Sequence, residues 1–265
     1  VVYNHLGPDG NFLARFAKAY FSENEPTEWG DAINFDGPES APVREFYRAN
    51  ARYWIEEFHF DGFRLDATQS IRDSSPVHIL REIAEEARGV AEGRSILLVA
   101  ENEPQDPVLV RDPAQGGYGL DMLWNDDFHH SAVVALTGRN EAYYHDYLGR
   151  PQEFISAAKF GFLYQGQWYS WQRDRRGGAS FGLSSERFVT FIENHDQVAN
   201  SACGERLTEL TAPASLRAMT AVLLLAPGTP MLFQGQEFGS RRPFHFFADH
   251  EPDLAAQVYA GRKEF

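Results

Sequence analysis

The sequence predicts an α/β fold with parallel strands, because short apolar, β-branched runs alternate with helical patterns along its 265 residues. Six such runs are compatible with an open doubly wound sheet or with most of an eight-stranded barrel. No GxGxxG or GxxxxGK(S/T) motif follows the first run, which weakens the nucleotide-binding sheet. We therefore expect a (β/α)8 TIM barrel, of which the chain holds about strands 3 to 8.

The predicted strands share β-rich composition and turn signals at their ends. They cover residues 1–3, 62–65, 95–100, 121–124, 188–192 and 230–233. The chain opens inside the first of them without an initiator Met. We therefore expect a fragment of a longer polypeptide, with the first two barrel strands missing.

Helical patterns separate several of these strands. Residues 40–58 repeat apolar side chains at helical spacing, with Ser40 as the predicted N-cap. Residues 74–93 repeat the pattern, with Ser75 as N-cap and a proline at the first helical position. Residues 127–185 are richer in Gly, Tyr and Trp and less periodic, which predicts loops or short helices around a pocket.

Composition narrows the choice of partner and compartment. A net charge of −14 and a pI near 5.0 argue against nucleic acid and anionic membranes as partners. The longest apolar run contains Pro227, Gly228 and Pro230 and is shorter than the roughly 20 residues of a membrane span. The single cysteine, Cys203, excludes an internal disulfide. Neutral substrates are not affected by the charge argument, and the single cysteine fits a reducing compartment, so we expect a cytoplasmic protein.

Polar residues follow four of the predicted strands directly. They are Asn4, His5, Asp66, Glu101, Asn194, His195 and Asp196. The carboxyl ends of parallel strands converge on one face, so we expect the three carboxylates to meet there. A single such carboxylate is as often a helix N-cap or part of a structural ion pair. Repetition at four strand ends points to metal binding or to acid–base catalysis.

Metal binding is the first of these readings, with His5, His195 and the acids as candidate ligands. No HExxH or CxxC motif is present, and the adjacent His129 and His130 point to different sides of any regular element. We therefore predict neither a metal nor another cofactor.

Glycoside chemistry is the second reading, because it needs one carboxylate as nucleophile and another, kept protonated, as acid. Arg64 lies two residues before Asp66, on the same side of the strand. Its cation is expected to keep that carboxylate ionised. Glu101, by contrast, is expected to be protonated more easily because of its anionic neighbours.

Four short stretches in this order, "VVYNH", "GFRLDA", "VAEN" and "FIENHD", resemble the four sequence regions of the alpha-amylase family of glycoside hydrolases. The resemblance implies that Asp66 is the nucleophile, Glu101 the general acid/base and Asp196 the transition-state stabiliser. It also implies that His5, Arg64 and His195 bind the sugar or support the nucleophile.

Longer stretches, including "LWNDDFHH" and "NHDQVANSACGERL", are most similar to the maltooligosyltrehalose trehalohydrolases of that family. This resemblance implies hydrolysis of the alpha-1,4 bond beside a trehalose end, with retention of configuration. It also implies functional pairing with a maltooligosyltrehalose synthase. The whole chain, residues 1–265, would then be one partial catalytic domain, without the N-terminal sugar-binding and C-terminal β domains.

Three alternatives stay open. Glycogen branching enzymes share the "GFR.DA" region, but their fourth region usually has a serine where this chain has Asn194. Another alpha-amylase-family enzyme acting on alpha-1,4-glucan is the second alternative, and an inactive carbohydrate-binding fragment is the third. Trp124, Asp126, Asp127 and Asn194 are further candidates for substrate binding, because they follow strand ends or offer a stacking face.

Overall fold

A computed structural model describes residues 1–7, 10–27, 30–201, 203–246 and 249–264. The chain divides into two compact units, which are treated separately below. Unit 1 comprises Val1–Trp124, Tyr164–Gln167 and Arg176–Phe188, and unit 2 comprises Asn125–Leu163, Trp168–Arg175 and Val189–Phe265. The stretch "NHDQVANSACGERL", which carried part of the resemblance, lies partly outside the described residues.

Helices and strands alternate in the first half of the chain. In order they are α1 (Leu13–Phe16), β1 (Phe21–Thr27), β2 (Gly30–Ile33), α2 (Ser40–Glu56), β3 (Gly62–Leu65), α3 (Ile79–Gly89), β4 (Leu97–Ala100) and β5 (Met122–Asn125). β3 pairs in parallel with β4, and β4 in parallel with β5. The predicted parallel sheet is therefore present in unit 1.

β3 follows the prediction residue for residue. Phe63 and Leu65 are buried while Gly62 and Arg64, which alternate with them, are half-buried, as expected for a strand with one apolar face. Gly62 has a φ of +152°, and a Cβ atom there would lie 1.8 Å from the carbonyl oxygen of Leu97. Only glycine permits this close approach of β4.

α2 and α3 pack on the core through regular apolar positions. Val43, Tyr47, Ala51 and Ile55 are buried along α2 at four-residue spacing. Ser40 is the first residue of this helix and Glu39 precedes it, with no side-chain capping bond. The predicted N-cap is therefore displaced by one residue.

The predicted start of α3 is wrong by three residues. The helix begins at Ile79, and Nδ1 of His78 accepts the capping hydrogen bond from the Leu80 N–H at 3.2 Å. The carboxylate of Asp73 accepts bonds from the N–H groups of Ser75 and Ile79 at 2.9 and 2.5 Å. These bonds hold the preceding segment in a loop, so the Ser–Pro pair does not initiate a helix.

The remaining elements are mostly helical. They are α4 (Asp126–Thr137), α5 (Pro151–Phe160), β6 (Gln167–Tyr169), β7 (Asp174–Arg176), β8 (Phe188–Thr190), α6 (His195–Ala199), α7 (Leu207–Leu210), α8 (Pro213–Leu225), β9 (Thr229–Pro230) and α9 (Pro252–Glu264). β8 pairs in parallel with β9. Phe128, Ala132, Ile192 and Leu223 are buried in the hydrophobic core of unit 2.

Several predicted strand ends shift. Residues 1–3 do not form a strand, although the N–H of Asp66 donates to the carbonyl oxygen of Val1 at 3.0 Å. The strand predicted over 188–192 ends at Thr190, and the one over 230–233 is reduced to Thr229–Pro230. Within the described residues, none of the helices combines the length and apolarity needed to cross a bilayer.

Candidate active site

In unit 1, β3 and β4 present carboxylates at their adjacent carboxyl ends. Asp66 directly follows β3, and Glu101 directly follows β4. Arg64 forms an ion pair with Asp66 through Nη1, and its Nη2 lies 2.9 Å from Oε2 of Glu101. The three side chains are 20 to 26% exposed. One guanidinium thus holds both carboxylates in a half-buried site.

Trp124 supports this guanidinium. The Cζ atom of Arg64 lies 4.3 Å from the centre of the Trp124 ring, within the range of a cation–π interaction. The indole is 7% exposed. Its observed contact is with Arg64, and the stacking of a sugar ring on it stays a prediction.

Backbone groups after Asp66 bind Glu101. The N–H of Ala67 donates to Oε2 of Glu101 at 2.8 Å, and the Thr68 hydroxyl donates to the Glu101 carbonyl oxygen at 2.6 Å. Asn102 Nδ2 donates to the Thr68 hydroxyl at 3.1 Å. Arg64 and the Ala67 N–H therefore hold the Glu101 carboxyl in place.

Thr68 and Asn102 were not predicted as site residues. Thr68 is 3% exposed and Asn102 5%, and each lies one or two residues from a predicted catalytic residue. The signal available in the sequence was a polar side chain within three residues of the end of each apolar strand, since buried polar groups need partners.

The first motif also lies in this site. Asn4 Nδ2 donates to Oδ2 of Asp66 at 3.3 Å, and Nδ1 of His5 lies 3.1 Å from Oδ1 of Asn4. Since an amide oxygen only accepts, the His5 ring nitrogen donates in this pair. Unit 1 therefore brings His5, Arg64, Asp66 and Glu101 together with Trp124.

In unit 2, the fourth motif surrounds the start of α6. Asn194 is 1% exposed, and its Oδ1 accepts the N–H of Gln197 at 3.0 Å as the N-cap. Nε2 of His195 lies 3.3 Å from Oδ2 of Asp196, and these two side chains are 38 and 34% exposed. Asn194 is therefore seen as a helix cap, while His195 and Asp196 remain accessible.

The two acids that follow β5 differ in their surroundings. Asp126 is 8% exposed and its Oδ1 lies 3.4 Å from Nε2 of Gln197. Asp127 is fully buried, and its carboxylate accepts bonds from the Tyr147 hydroxyl at 2.6 Å and the Leu163 N–H at 2.9 Å. This burial favours a structural role for Asp127 over the predicted contact with sugar hydroxyls.

His129 is held neutral in the interior of unit 2. Its Nδ1 donates to the Ile192 carbonyl oxygen at 2.6 Å, and Nε2 accepts from the Tyr144 hydroxyl at 3.1 Å. Burial lowers the pKa of His129 to about 4. Among the residues the structure describes, no three His, Cys, Asp or Glu side chains are arranged to hold a metal ion.

Comparison with solved structures defines the class of protein. A crystal structure of a protein provisionally assigned as an alpha amylase, from Salmonella typhimurium, matches this chain with a TM-score of 0.90 at 39% identity. The match covers 100% of this chain and 45% of that one. The chain therefore forms an α/β domain of the TIM-barrel type seen in alpha-amylase enzymes. No family model matches it.

Comparison with curated relatives shows which enzymes within the alpha-amylase class this chain is similar to. The chain is 41% identical over 264 residues to malto-oligosyltrehalose trehalohydrolase of Saccharolobus solfataricus, which covers 99% of this chain and 46% of the relative. Its identity to the branching enzyme GlgB of Mycobacterium ulcerans is 29%, over 89% of this chain and 32% of that protein. The resemblance to the alpha-amylase family, and within it to the trehalohydrolases, is thereby confirmed. The chain spans about half the length of these trehalohydrolase relatives.

Proposed function

We propose that this chain carries the catalytic residues of a retaining glycoside hydrolase. The reaction is cleavage of the alpha-1,4-glucosidic bond next to the trehalose end of maltooligosyltrehalose, which releases trehalose and a maltooligosaccharide. The observation that carries the proposal is the pairing of Asp66 and Glu101 on Arg64 at the ends of two parallel strands. The similarity to the trehalohydrolases supports the choice of substrate.

In this mechanism Asp66 attacks the anomeric carbon while Glu101 protonates the glycosidic oxygen. Glu101 then removes a proton from the water that releases the glycosyl enzyme. Arg64 holds the Asp66 carboxylate through its ion pair, and Asn4 orients it through the 3.3 Å hydrogen bond. Retention requires the two carboxyl groups to lie about 5 to 5.5 Å apart during the reaction.

The remaining roles are assigned on the resemblance. Asp196 is proposed to stabilise the transition state, and His5 and His195 to bind the sugar hydroxyls. We place Asp126 among the substrate contacts as well, because it directly follows β5 and its carboxylate is bonded only weakly, at 3.4 Å, by Gln197 in the contact observed here.

We also propose the domain to which the chain belongs, the source of its substrate and its location in the cell. The chain is proposed to supply about strands 3 to 8 of one (β/α)8 catalytic domain. The other two strands of that barrel would correspond to parts of the relatives that this chain does not cover. The substrate, an alpha-1,4-glucan chain ending in trehalose, would come from a synthase that makes that end group. The single cysteine supports the proposal of a cytoplasmic location.

The test is product analysis on maltotriosyltrehalose and maltopentaose, with the enzyme extended to the length of its curated relatives. We expect trehalose from the first substrate and little cleavage of the second. Asp66→Asn should abolish turnover, whereas Asp61→Asn, with a side chain that is 85% exposed, should not. Appreciable turnover by the Asp66 variant would refute the nucleophile, and branched or maltose products would favour the alternatives.

A further inference from the structure

Unit 2 buries a pair of opposite charges that the proposed chemistry does not use. Glu193 and Arg206 are each 5% exposed, and Nη1 of Arg206 lies 3.7 Å from Oε2 of Glu193. Burial raises the pKa of the Glu193 carboxyl, while the Leu207 N–H and the charge of Arg206 oppose that rise. Removing two charges from water is unfavourable, and a buried pair often contributes no net stability. Stability alone is therefore a poor explanation for this pair.

The two residues flank the fourth motif along the chain. Glu193 lies two residues before His195 and three before Asp196, which are the first residues of α6. Arg206 directly precedes α7, and Oε1 of Glu193 accepts the N–H of Leu207, the first residue of that helix, at 2.5 Å. One buried carboxylate thus joins the stretch just before the motif to the start of α7.

Arg206 also contacts a second segment next to the motif, residues 242–246. Its Nε donates to the carbonyl oxygen of Arg242 at 3.3 Å. At the other end of this segment, the ring centre of Phe246 lies 6.4 Å from that of His195, with the two rings at 72°. The guanidinium is therefore connected to the fourth motif by two routes, the buried carboxylate and this segment.

An aromatic ring fixes the guanidinium further. Cζ of Arg206 lies 4.4 Å from the centre of the Phe233 ring, within the range of a cation–π interaction. A planar guanidinium can stack on a ring and at the same time direct its N–H groups to two acceptors, which a compact ammonium cannot. The position of Arg206 is thus set by three separate parts of unit 2.

We propose that Arg206 is a positioning residue that holds His195 and Asp196 in place for the reaction, through Glu193 and through residues 242–246. The inference rests on the proposed function, in which Asp196 stabilises the transition state and His195 binds the sugar. Small displacements of such groups lower the rate of the chemical step strongly. Arg206 therefore acts on bond cleavage without touching the substrate.

Removal of one charge and then of both tests this role in the enzyme extended to the length of its curated relatives. Arg206→Met leaves the carboxylate buried without its cation and should lower stability, whereas Arg206→Met combined with Glu193→Gln removes both charges and should recover much of the loss. In both proteins we expect kcat on maltotriosyltrehalose to fall about tenfold or more, with KM changed by less than about threefold. Kinetics are measured at a temperature where circular dichroism shows folded protein.

Two controls separate positioning from stability. Leu223→Ala truncates a fully buried side chain in the core of unit 2, so it should also lower stability while kcat of the folded enzyme stays within about twofold. Arg241→Met removes an arginine that is 74% exposed and pairs with Glu209. It should leave both stability and kcat nearly unchanged.

The outcomes separate this inference from the proposed function. A kcat that stays low in the double variant after stability has recovered, with both controls active, supports the positioning role. The role is overturned by a kcat near that of the unmodified enzyme in Arg206→Met, by a kcat that returns together with stability, or by an equal loss in Leu223→Ala; trehalose release by the unmodified enzyme then still supports the proposed function. If Arg206→Met does not fold, the double variant decides by the same criteria. If the unmodified enzyme releases no trehalose, the proposed function fails and this inference fails with it.

Discussion

The backbone N–H of Ala67 donates a 2.8 Å hydrogen bond to the side-chain carboxylate of Glu101. Ala67 directly follows Asp66 and has left-handed backbone angles, with φ of +37° and ψ of +54°. Such a conformation is uncommon for a residue with a side chain. The residue after one carboxylate therefore holds the other, and Arg64 contacts both. The relative position of the two acids is fixed by backbone and by one guanidinium.

Replacing Arg64 by lysine tests this arrangement. Lysine keeps the charge but has one ammonium group in place of a planar fork, so it cannot hold two carboxylates through separate nitrogens. It also loses the contact with Trp124. We expect kcat/KM to fall about 100-fold, since small displacements of catalytic groups have effects of this order. Steady-state kinetics on folded protein measures it.

The matched control for this change is Arg81→Lys. Arg81 makes a 2.8 Å ion pair with Glu85 along one turn of α3, where both side chains are partly exposed. Its replacement should leave kcat/KM within about twofold, because exposed pairs contribute little. If Arg64→Lys behaves like this control, one guanidinium holding both acids is not needed for catalysis.

Thr68→Val removes the hydroxyl that links β3 to β4. The hydroxyl donates to the Glu101 carbonyl at 2.6 Å and accepts from Asn102 at 3.1 Å. Because Thr68 is buried, losing both bonds should lower the free energy of unfolding by about 1 to 3 kcal/mol. Urea unfolding with an unchanged m-value measures the loss. Thr220→Val, which removes a hydroxyl bonded to a carbonyl within α8, should cost less; equal costs would contradict the role of Thr68 as a link between strands.

Local sequence pattern sufficed where local forces decide the structure. The alternation in residues 62–65, with glycine at the start, predicted β3 correctly. The start of α3 was predicted wrongly, because Ser75 carries an N-cap signal that the loop around Asp73 overrides. The contacts of that loop come from Arg44, 29 residues away along the chain, and a local pattern does not report them.

The candidate active site likewise contains features that the local sequence predicts and features that it does not. Arg64, Asp66 and Glu101 were predicted as site residues because each follows or belongs to a recognisable strand, and the three side chains lie in contact. The bond from Ala67 to Glu101 could not be predicted, because it depends on a left-handed backbone and on the register Leu65↔Ala100 between β3 and β4. The burial of Asp127 likewise depends on its partners Tyr147 and Leu163, which follow in irregular segments.

Asp73→Asn should destabilise unit 1 and change its response to acid. The Asp73 side chain is fully buried and pairs with Arg44 at 2.7 Å. Burial alone would raise the pKa of Asp73, but hydrogen bonds from Ser75 and Arg44 outweigh it and lower the pKa below 3.8. A lowered carboxyl pKa adds stability above pH 3.8, which is lost as the pH falls through the folded-state value.

We therefore expect the variant to lose about 3 kcal/mol at pH 7 and to show a shallower loss of stability below pH 3.8. Denaturant unfolding at pH 7 and at pH 3 measures both effects. Glu85→Gln, at an exposed ion pair, should leave both values nearly unchanged. A variant of Asp73 as stable as this control would show that the buried pair contributes no net stability.

His129 gives a second and separate dependence on pH. Burial lowers its pKa from 6.5 to about 4, so between these values the unfolded chain binds a proton that the folded chain does not. The free energy of unfolding should therefore be fully maintained above pH 6.5 and fall by about 3 kcal/mol as the pH is lowered towards 4.

His129→Gln keeps a side-chain donor for the Ile192 carbonyl but removes the titrating ring. The free energy of unfolding of His129→Gln should be lower at pH 7 than that of the unmodified protein, and it should fall less between pH 6.5 and 4. His145→Gln, at an exposed position, should keep the original dependence of the free energy of unfolding on pH. Equal slopes for all three proteins would contradict a neutral, buried His129.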